Sequence, residues 1–226
     1  MTEKGWLTGV VAERLLMQVK GASERRLRLY GVACCRRGWS LLGLAARKAV
    51  EVAERFADGL CSFDELIAAR NSAGATHPAV RAVTQEPKKS SCWGGMRDTA
   101  RAMVEAICHG PTWHAAPIDQ RLGVCETLRE QERAAQAGLL RCLFGNPFRP
   151  VVIEVSWKTP ELVGMAEAAY RERSELDGML DPARLAVLSD ALEDASCTDA
   201  EILGHLRAPG PHGRGCWVID LVLGLA

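Results

Sequence analysis

The chain has 226 residues, zero formal net charge, 48% hydrophobic and 25% charged residues, and nine cysteines. That is enough chain for one sizeable core without staples, and no stretch approaches the roughly 18 uninterrupted apolar residues of a membrane span. The opening Met1-Thr-Glu-Lys-Gly-Trp6 carries no charged-then-apolar leader, so the scattered, odd-numbered cysteines read as reduced thiols of a cytoplasmic protein.

The elements follow in chain order, and most are helices. Residues 23–42 start at a Ser23 cap, with Leu27, Tyr30, Cys34 and Leu41 at helical spacing and the arginines placed mainly on the opposite side. Residues 46–58 continue the pattern and stop at Gly59. Ser62-Phe-Asp-Glu65 has the spacing of a capping box, opening a helix to about Asn71. Residues 72–95, rich in Gly, Ser, Thr, Pro and Lys, read as a flexible loop. Helices are predicted over 97–108 and, after Gly110-Pro111, over 117–144, the latter with a solvated polar middle from Glu126 to Gln136.

Gly145-Asn146-Pro-Phe-Arg-Pro150 ends that helix, because neither proline can continue it and each pushes the preceding residue towards extended backbone. The alternation Val151, Ile153, Val155, Trp157 is strand-like, although a strand without a partner reduces to an extended segment. Thr159-Pro160 and Asp181-Pro182 place a capping side chain before Pro at the first helical position, predicting helices over 160–173 and 182–195. In the second, Leu185, Leu188 and Leu192 form the buried stripe. Thr198-Asp-Ala-Glu201 predicts another capping box, and Cys216–Leu225 a buried terminal helix. The fold class is mainly α: a compact multi-helix bundle with at most one or two short strands. It forms a single domain over 1–226, with a subdivision into a basic part, 1–144, and an acidic part, 151–226.

The zero net charge hides that division. Residues 1–150 hold 22 Lys/Arg against 15 Asp/Glu, a balance of +7, and residues 151–226 hold 6 against 13, a balance of −7. Arg25, Arg26, Arg28, Arg36 and Arg37 concentrate on one predicted helix. They could form a basic face for nucleic acid or an acidic partner. The alternative is that the acidic C-terminal part docks on the basic N-terminal part of the same chain.

The densest chemistry lies at the C-terminus, in Cys197, His205, His212, Arg214, Cys216 and Trp217. Cys and His are zinc ligand types, and the His212-x3-Cys216 interval is feasible. Cys197 is excluded if a helix carries His205, because eight residues of helix span about 12 Å. A site of His205, His212 and Cys216 then needs a ligand from elsewhere. A nucleophilic reading pairs Cys216 with His205 or His212, oriented by Asp220 or Asp199. It competes with burial of Cys216 at the head of an apolar run. Asn146-Pro-Phe-Arg-Pro150 reads as a rigid corner built on Asn146, with Phe148 buried and Arg149 either hooking an anion or pairing with an acid of the C-terminal part. Pro209-Gly-Pro211 would turn the chain so that Trp217 enters the core as part of a structural plug.

Several stretches together carry a resemblance. They are Arg26-Leu-Arg-Leu-Tyr-Gly-Val-Ala-Cys-Cys-Arg-Arg37, Ala49–Leu60, Leu140-Arg-Cys-Leu-Phe-Gly-Asn-Pro-Phe-Arg-Pro-Val151 and Pro209-Gly-Pro-His-Gly-Arg-Gly-Cys-Trp-Val-Ile-Asp-Leu221. The chain resembles a large, uncharacterised family of small bacterial proteins abundant in planctomycete genomes, over most of its length apart from 72–116. The family often has Cys at the position of Leu206 and Asp at that of Cys142, which implies that neither position carries an essential group. The resemblance implies a soluble bacterial protein and supplies no reaction, substrate or cofactor.

The leading functional reading is a non-enzymatic protein-interaction or regulatory module whose partner is another protein, with no membrane. The alternative is a zinc-binding or metal-dependent protein centred on His205, His212 and Cys216. A third reading is nucleic-acid binding through the arginine-rich helix 25–37. The candidate anion or partner contacts are Arg25, Arg28, Arg36, Arg149 and Arg214. The candidate structural residues are Asn146, Phe148 and Trp217.

Overall fold

The computed structural model describes residues 1–19, 21–74, 77–85 and 89–225, the stretch 89–93 as backbone only. Among them the regular structure is entirely helical, so the mainly α class holds. In chain order the helices are α1 (Glu3–Thr8), α2 (Ala12–Leu16), α3 (Glu24–Arg37), α4 (Leu44–Ala57), α5 (Phe63–Ala73), α6 (Pro78–Val83) and α7 (Lys89–Cys108). There follow α8 (Pro111–Ala115), α9 (Arg121–Phe144), α10 (Pro160–Arg171), α11 (Pro182–Asp194), α12 (Ala200–Arg207) and α13 (Trp217–Leu223). None is long and apolar enough to cross a membrane.

Helix α3 is the centre of the molecule, touching α4, α6, α7 and α9. Ser23 caps it by accepting from the Arg26 amide, and Gly38 ends it one turn earlier than its periodicity suggests. The expected polar face of α3 is not there. Every residue from Leu27 to Arg36 is buried, Arg28 to 1% exposure and Arg36 to 7%. A helix enclosed on all sides still carries Arg28 and Arg36 because both find acceptors inside the fold, as described below. Helix α9 keeps most of its polar middle at or near the surface, as expected, but Glu132 and Gln136 are buried, with Gln136 donating to the Ala100 carbonyl and to Glu132.

The loop expected over 72–95 is largely helical. His77 accepts from the Ala79 amide and Pro78 takes the first helical position of α6, and α7 begins at Lys89. Tertiary burial overrides the weak local propensity here: Ala79, Val80, Val83 and Met96 are core residues. Residues 75–76 and 86–88, which the loop expectation also covered, lie outside the described residues. The strand expected at 151–157 is also absent. Val151–Glu154 is irregular and 155–157 is a single 3-10 turn, with Val152 and Val155 exposed and Trp157 buried. Among the described residues no second strand exists to accept its ladder, and an unpaired strand is not stable alone.

In the C-terminal part, α10 packs on α11 and α13, α11 on α12, and α13 on α9. The caps at Ser62, Thr159 and Asp181 form as expected. The α12 cap is Asp199 rather than Thr198, its carboxylate accepting from the Glu201 and Ile202 amides. One hydrophobic core runs from Trp6 to Val222 and draws on both the basic and the acidic parts of the chain.

Candidate metal centre

Four segments converge where α9, α12 and α13 meet. Cys142 comes from the last turns of α9, His205 from α12, His212 from the turn that follows it, and Cys216 from the residue capping α13. Their ligand atoms all lie within 4.8 Å of one another. Two edges of the cluster are resolved: Cys142 Sγ to His212 Nδ1 is 3.7 Å, and His205 Nε2 to Cys216 Sγ is 3.3 Å. Zinc bonds of about 2.0–2.3 Å at tetrahedral angles require ligand–ligand edges of roughly 3.3–3.8 Å. These two edges match that separation, while the bound of 4.8 Å on the whole set is about 1 Å wider than a bound ion needs.

Local structure aims each group. The His212 ring places Nε2 at 2.9 Å from the Ala208 carbonyl, which assigns the N–H to Nε2 and leaves the Nδ1 lone pair facing Cys142 and Cys216. Such a backbone contact orients an imidazole ligand and fixes its tautomer. The His212 carbonyl accepts from the Leu180 amide, pinning the turn to the start of α11. Cys216 is held at the head of α13 by the hydrogen bond its amide N–H donates to the Gly213 carbonyl. Gly215 precedes it at φ +90°, and a Cβ there would stand 2.9 Å from Leu29 Cδ1. His205 packs edge-on against His212, with ring centroids 4.9 Å apart, and tilts against Trp217 at 5.4 Å.

The electrostatics suit a cation. Burial alone would push both thiols up. At Cys142 it does, aided by the neighbouring sulfur of Cys216. At Cys216 burial is outweighed by the hydrogen bond from Cys142 and by the charge and hydrogen bonds of His205 and His212, which hold it well below the usual thiol range. Burial pulls His212 down, but its contacts with Cys216 and Ala208 leave it raised. The cluster therefore already favours one thiolate among nitrogen donors. A soft divalent cation that displaces the remaining protons completes the charge balance.

No family model matches this chain, and neither a curated protein nor a solved structure does.

The structure brings His205, His212 and Cys216 together, as the spacing argument expected, and supplies the fourth donor from α9. Cys142 is the residue sequence reasoning set aside. Cys197 is buried outside the cluster. The two acids expected to orient a histidine base are occupied elsewhere. Asp220 receives Arg25 at 2.5 Å and the Tyr170 hydroxyl at 2.7 Å, and Asp199 caps α12. The Cys216–His205 pair of the nucleophilic reading forms at 3.3 Å, but neither acid orients it and Cys216 is at 0% exposure.

The candidate arginines are spent inside the fold. Arg25 bridges Asp58 and Asp220, and Arg214 reaches the same Asp58 while lying over the Tyr170 ring. Arg28 donates to the Val83 and Gln85 carbonyls and pairs with Glu24. Arg36 and Arg173 share Glu54, and Arg37 pairs with Glu132. The ion pairs between the two parts run in both directions and do not offset the charge division. Arg25 of the basic part meets an acid of the acidic part, whereas Arg173 and Arg214 of the acidic part meet Glu54 and Asp58 of the basic part.

The corner at 145–150 forms, with Gly145 at φ +64° and the Asn146 side chain accepting from the Phe148 amide while donating to Glu3. Phe148, expected to be buried, is 40% exposed. The corner is held by hydrogen bonds from Asn146 instead of by an aromatic anchor. Arg149 pairs with Glu201 of the acidic part, as expected, and more closely with Glu3 at 2.6 Å. Trp217 is buried, its ring lying against Gly145.

Proposed function

We propose that this protein is a zinc-binding helical domain in which Cys142, His205, His212 and Cys216 form a closed Cys2His2 centre, and that it serves as a non-enzymatic interaction or regulatory module. The observation that carries this reading is the convergence of four donors of zinc-ligand type from four separate segments to within 4.8 Å. Four protein ligands fill a tetrahedral shell. A catalytic zinc keeps one position for water or substrate, so this set favours a structural ion. Three of the four ligands are buried and His205 is half-buried, which leaves the ion a route in past the histidine.

The ion would join the end of α9 to α12 and α13, fastening the acidic C-terminal helices to the basic body. A domain fixed in one arrangement can present a rigid surface to a protein partner. Elemental analysis of protein purified without a metal-affinity tag tests the metal reading. One equivalent of zinc is expected, and it should disappear in both Cys142→Ala and His212→Ala. Metal-free protein that neither takes up added zinc nor changes its melting temperature with it would overturn the proposal.

A further inference from the structure

Beside the metal centre, the Gly145–Val151 corner, α3, the first turn of α12 and α13 enclose a pocket of about 180 Å³ whose lining includes Arg26, Asn146, Arg149, Glu201 and Trp217. A cavity needs only about 10–15 Å³ to admit one water, whereas drug-sized ligands fill roughly 300–1,000 Å³. The pocket is therefore sized for a small molecule or ion. Its walls are short continuations of the metal-ligand segments, but its chemistry is separate.

Arg26 differs from the other arginines of α3. Arg25, Arg28, Arg36 and Arg37 all have acceptors inside the fold. The Arg26 side chain makes no hydrogen bond or ion pair among the described residues and acts on Asp220 only through its charge; its Nε, like that of Arg36, is buried without a partner. A buried guanidinium N–H left unanswered is costly, and native folds rarely retain one without a reason. Arg149 stands at the mouth, 62% exposed, with its charge shared between Glu3 and Glu201. The lining thus holds one cation with an unused donor set, a second that can swing between partners, and one carboxylate. Guanidinium groups present planar donor pairs that match the oxygens of phosphates and carboxylates.

We infer that this pocket binds a small oxyanion, a phosphate monoester or a carboxylate, seated on Arg26 with Arg149 closing over it. Glu201 is the brake on that binding, since it repels the anion and competes with it for Arg149. The inference does not depend on an ion in the metal centre.

Calorimetric titration of the full-length protein at low ionic strength tests it, with inorganic phosphate and malonate as probes and chloride as control. Saturable binding of at least one probe is expected, weakened tenfold or more by Arg26→Gln and tightened several-fold by Glu201→Gln. The stronger probe identifies the class of oxyanion. The absence of saturable binding by both probes overturns the inference, as does binding that a folded Arg26→Gln variant leaves unchanged. Should Arg26→Gln fail to fold, Glu201→Gln decides alone: an affinity that stays the same or falls overturns it.

Discussion

Gly138 lies directly beneath Pro211: a Cβ on this glycine would stand 2.7 Å from the proline Cδ and 3.0 Å from its Cγ. Gly138 is one helical turn before Cys142 on the same face of α9, and Pro211 immediately precedes His212. The missing side chain is what allows the 209–212 turn to approach the helix closely enough for His212 Nδ1 to reach the Cys142 sulfur.

Gly138→Val should therefore separate the two halves of the candidate metal centre. Overpacking of this kind typically costs about 1–3 kcal/mol, offset by only about a few tenths of a kcal/mol because valine is a slightly better helix former than glycine. The expected outcome is a lower zinc affinity together with a reduced melting temperature. Zinc affinity equal to that of the parent chain would show that the turn can move away without disturbing the ligands.

The four ligands should behave as one unit. If they hold a single ion, Cys142→Ala and His212→Ala each remove most of the metal's contribution. The double variant then adds little to either, because residues sharing one network are not additive. Thermal melts of the two single variants and the double variant, each with and without a chelator, measure this. The chelator should lower the melting temperature of the parent chain and leave all three variants nearly unmoved. Strictly additive losses would mean that the side chains contribute by ordinary packing.

Much of this fold is legible in the sequence because it is written locally. Ser62 with Glu65, Thr159-Pro160 and Asp181-Pro182 announce helix starts through hydrogen bonds that span two or three residues, and all three form. The burial of Arg28, Arg36 and Glu132 is not legible, because it depends on acceptors and partners far away in the chain. Arg28 reaches Val83, and Arg37 reaches Glu132. The candidate centre divides the same way. His205, His212 and Cys216 are close in sequence and were readable as a group. Cys142 sits one turn before an unrelated-looking corner, and only the docking of α9 against the 209–216 segment identifies it. The trace of it in the sequence is Gly138, one turn earlier, which carries no side chain to hold the docking segment away.

Buried carboxylates should give this protein opposing pH dependences. At Glu54 burial would raise the carboxyl, but the hydrogen bonds and charges of Arg173 and Arg36 outweigh it and the group is held below 4.5. A lowered folded-state value means that Glu54 contributes stability present above about pH 4.5 and lost as the pH falls through the folded value. At Glu132 burial wins over Arg37 and Gln136, and the group is raised above 4.5. Its contribution is fully present below that pH and is lost as the pH rises through the folded value. Denaturant melts between pH 3 and 7 should show Glu54→Gln flattening the acid-side loss and Glu132→Gln removing a loss on the neutral side. Glu54→Gln should also be costly at pH 7, by about 3–5 kcal/mol, since it strands two largely buried arginines. Parallel pH profiles for both variants and the parent chain would mean that neither carboxylate has a shifted value.

The terminal segment should be indispensable whether or not a metal is bound. Trp217, Val218, Ile219 and Val222 are all buried, and α13 packs on both α9 and α10. Burying one large apolar side chain contributes about 1.5–3 kcal/mol, against a total stability that is typically only about 5–15 kcal/mol. Truncation after Gly210 removes this set together with His212 and Cys216, so the remaining chain should unfold or aggregate. Trp217→Ala isolates the packing contribution, because the tryptophan is not a ligand but lies against Gly145 and the His205 ring. The cavity should cost about 3–5 kcal/mol, a fall in melting temperature of roughly 6–20 °C for a domain of this size. Trp217→Phe should recover much of it. Zinc stoichiometry should survive in Trp217→Ala at temperatures where the variant remains folded. A melting temperature within a degree or two of the parent chain would show that α13 is held by the metal centre and the Arg25–Asp220 pair, with little contribution from the core.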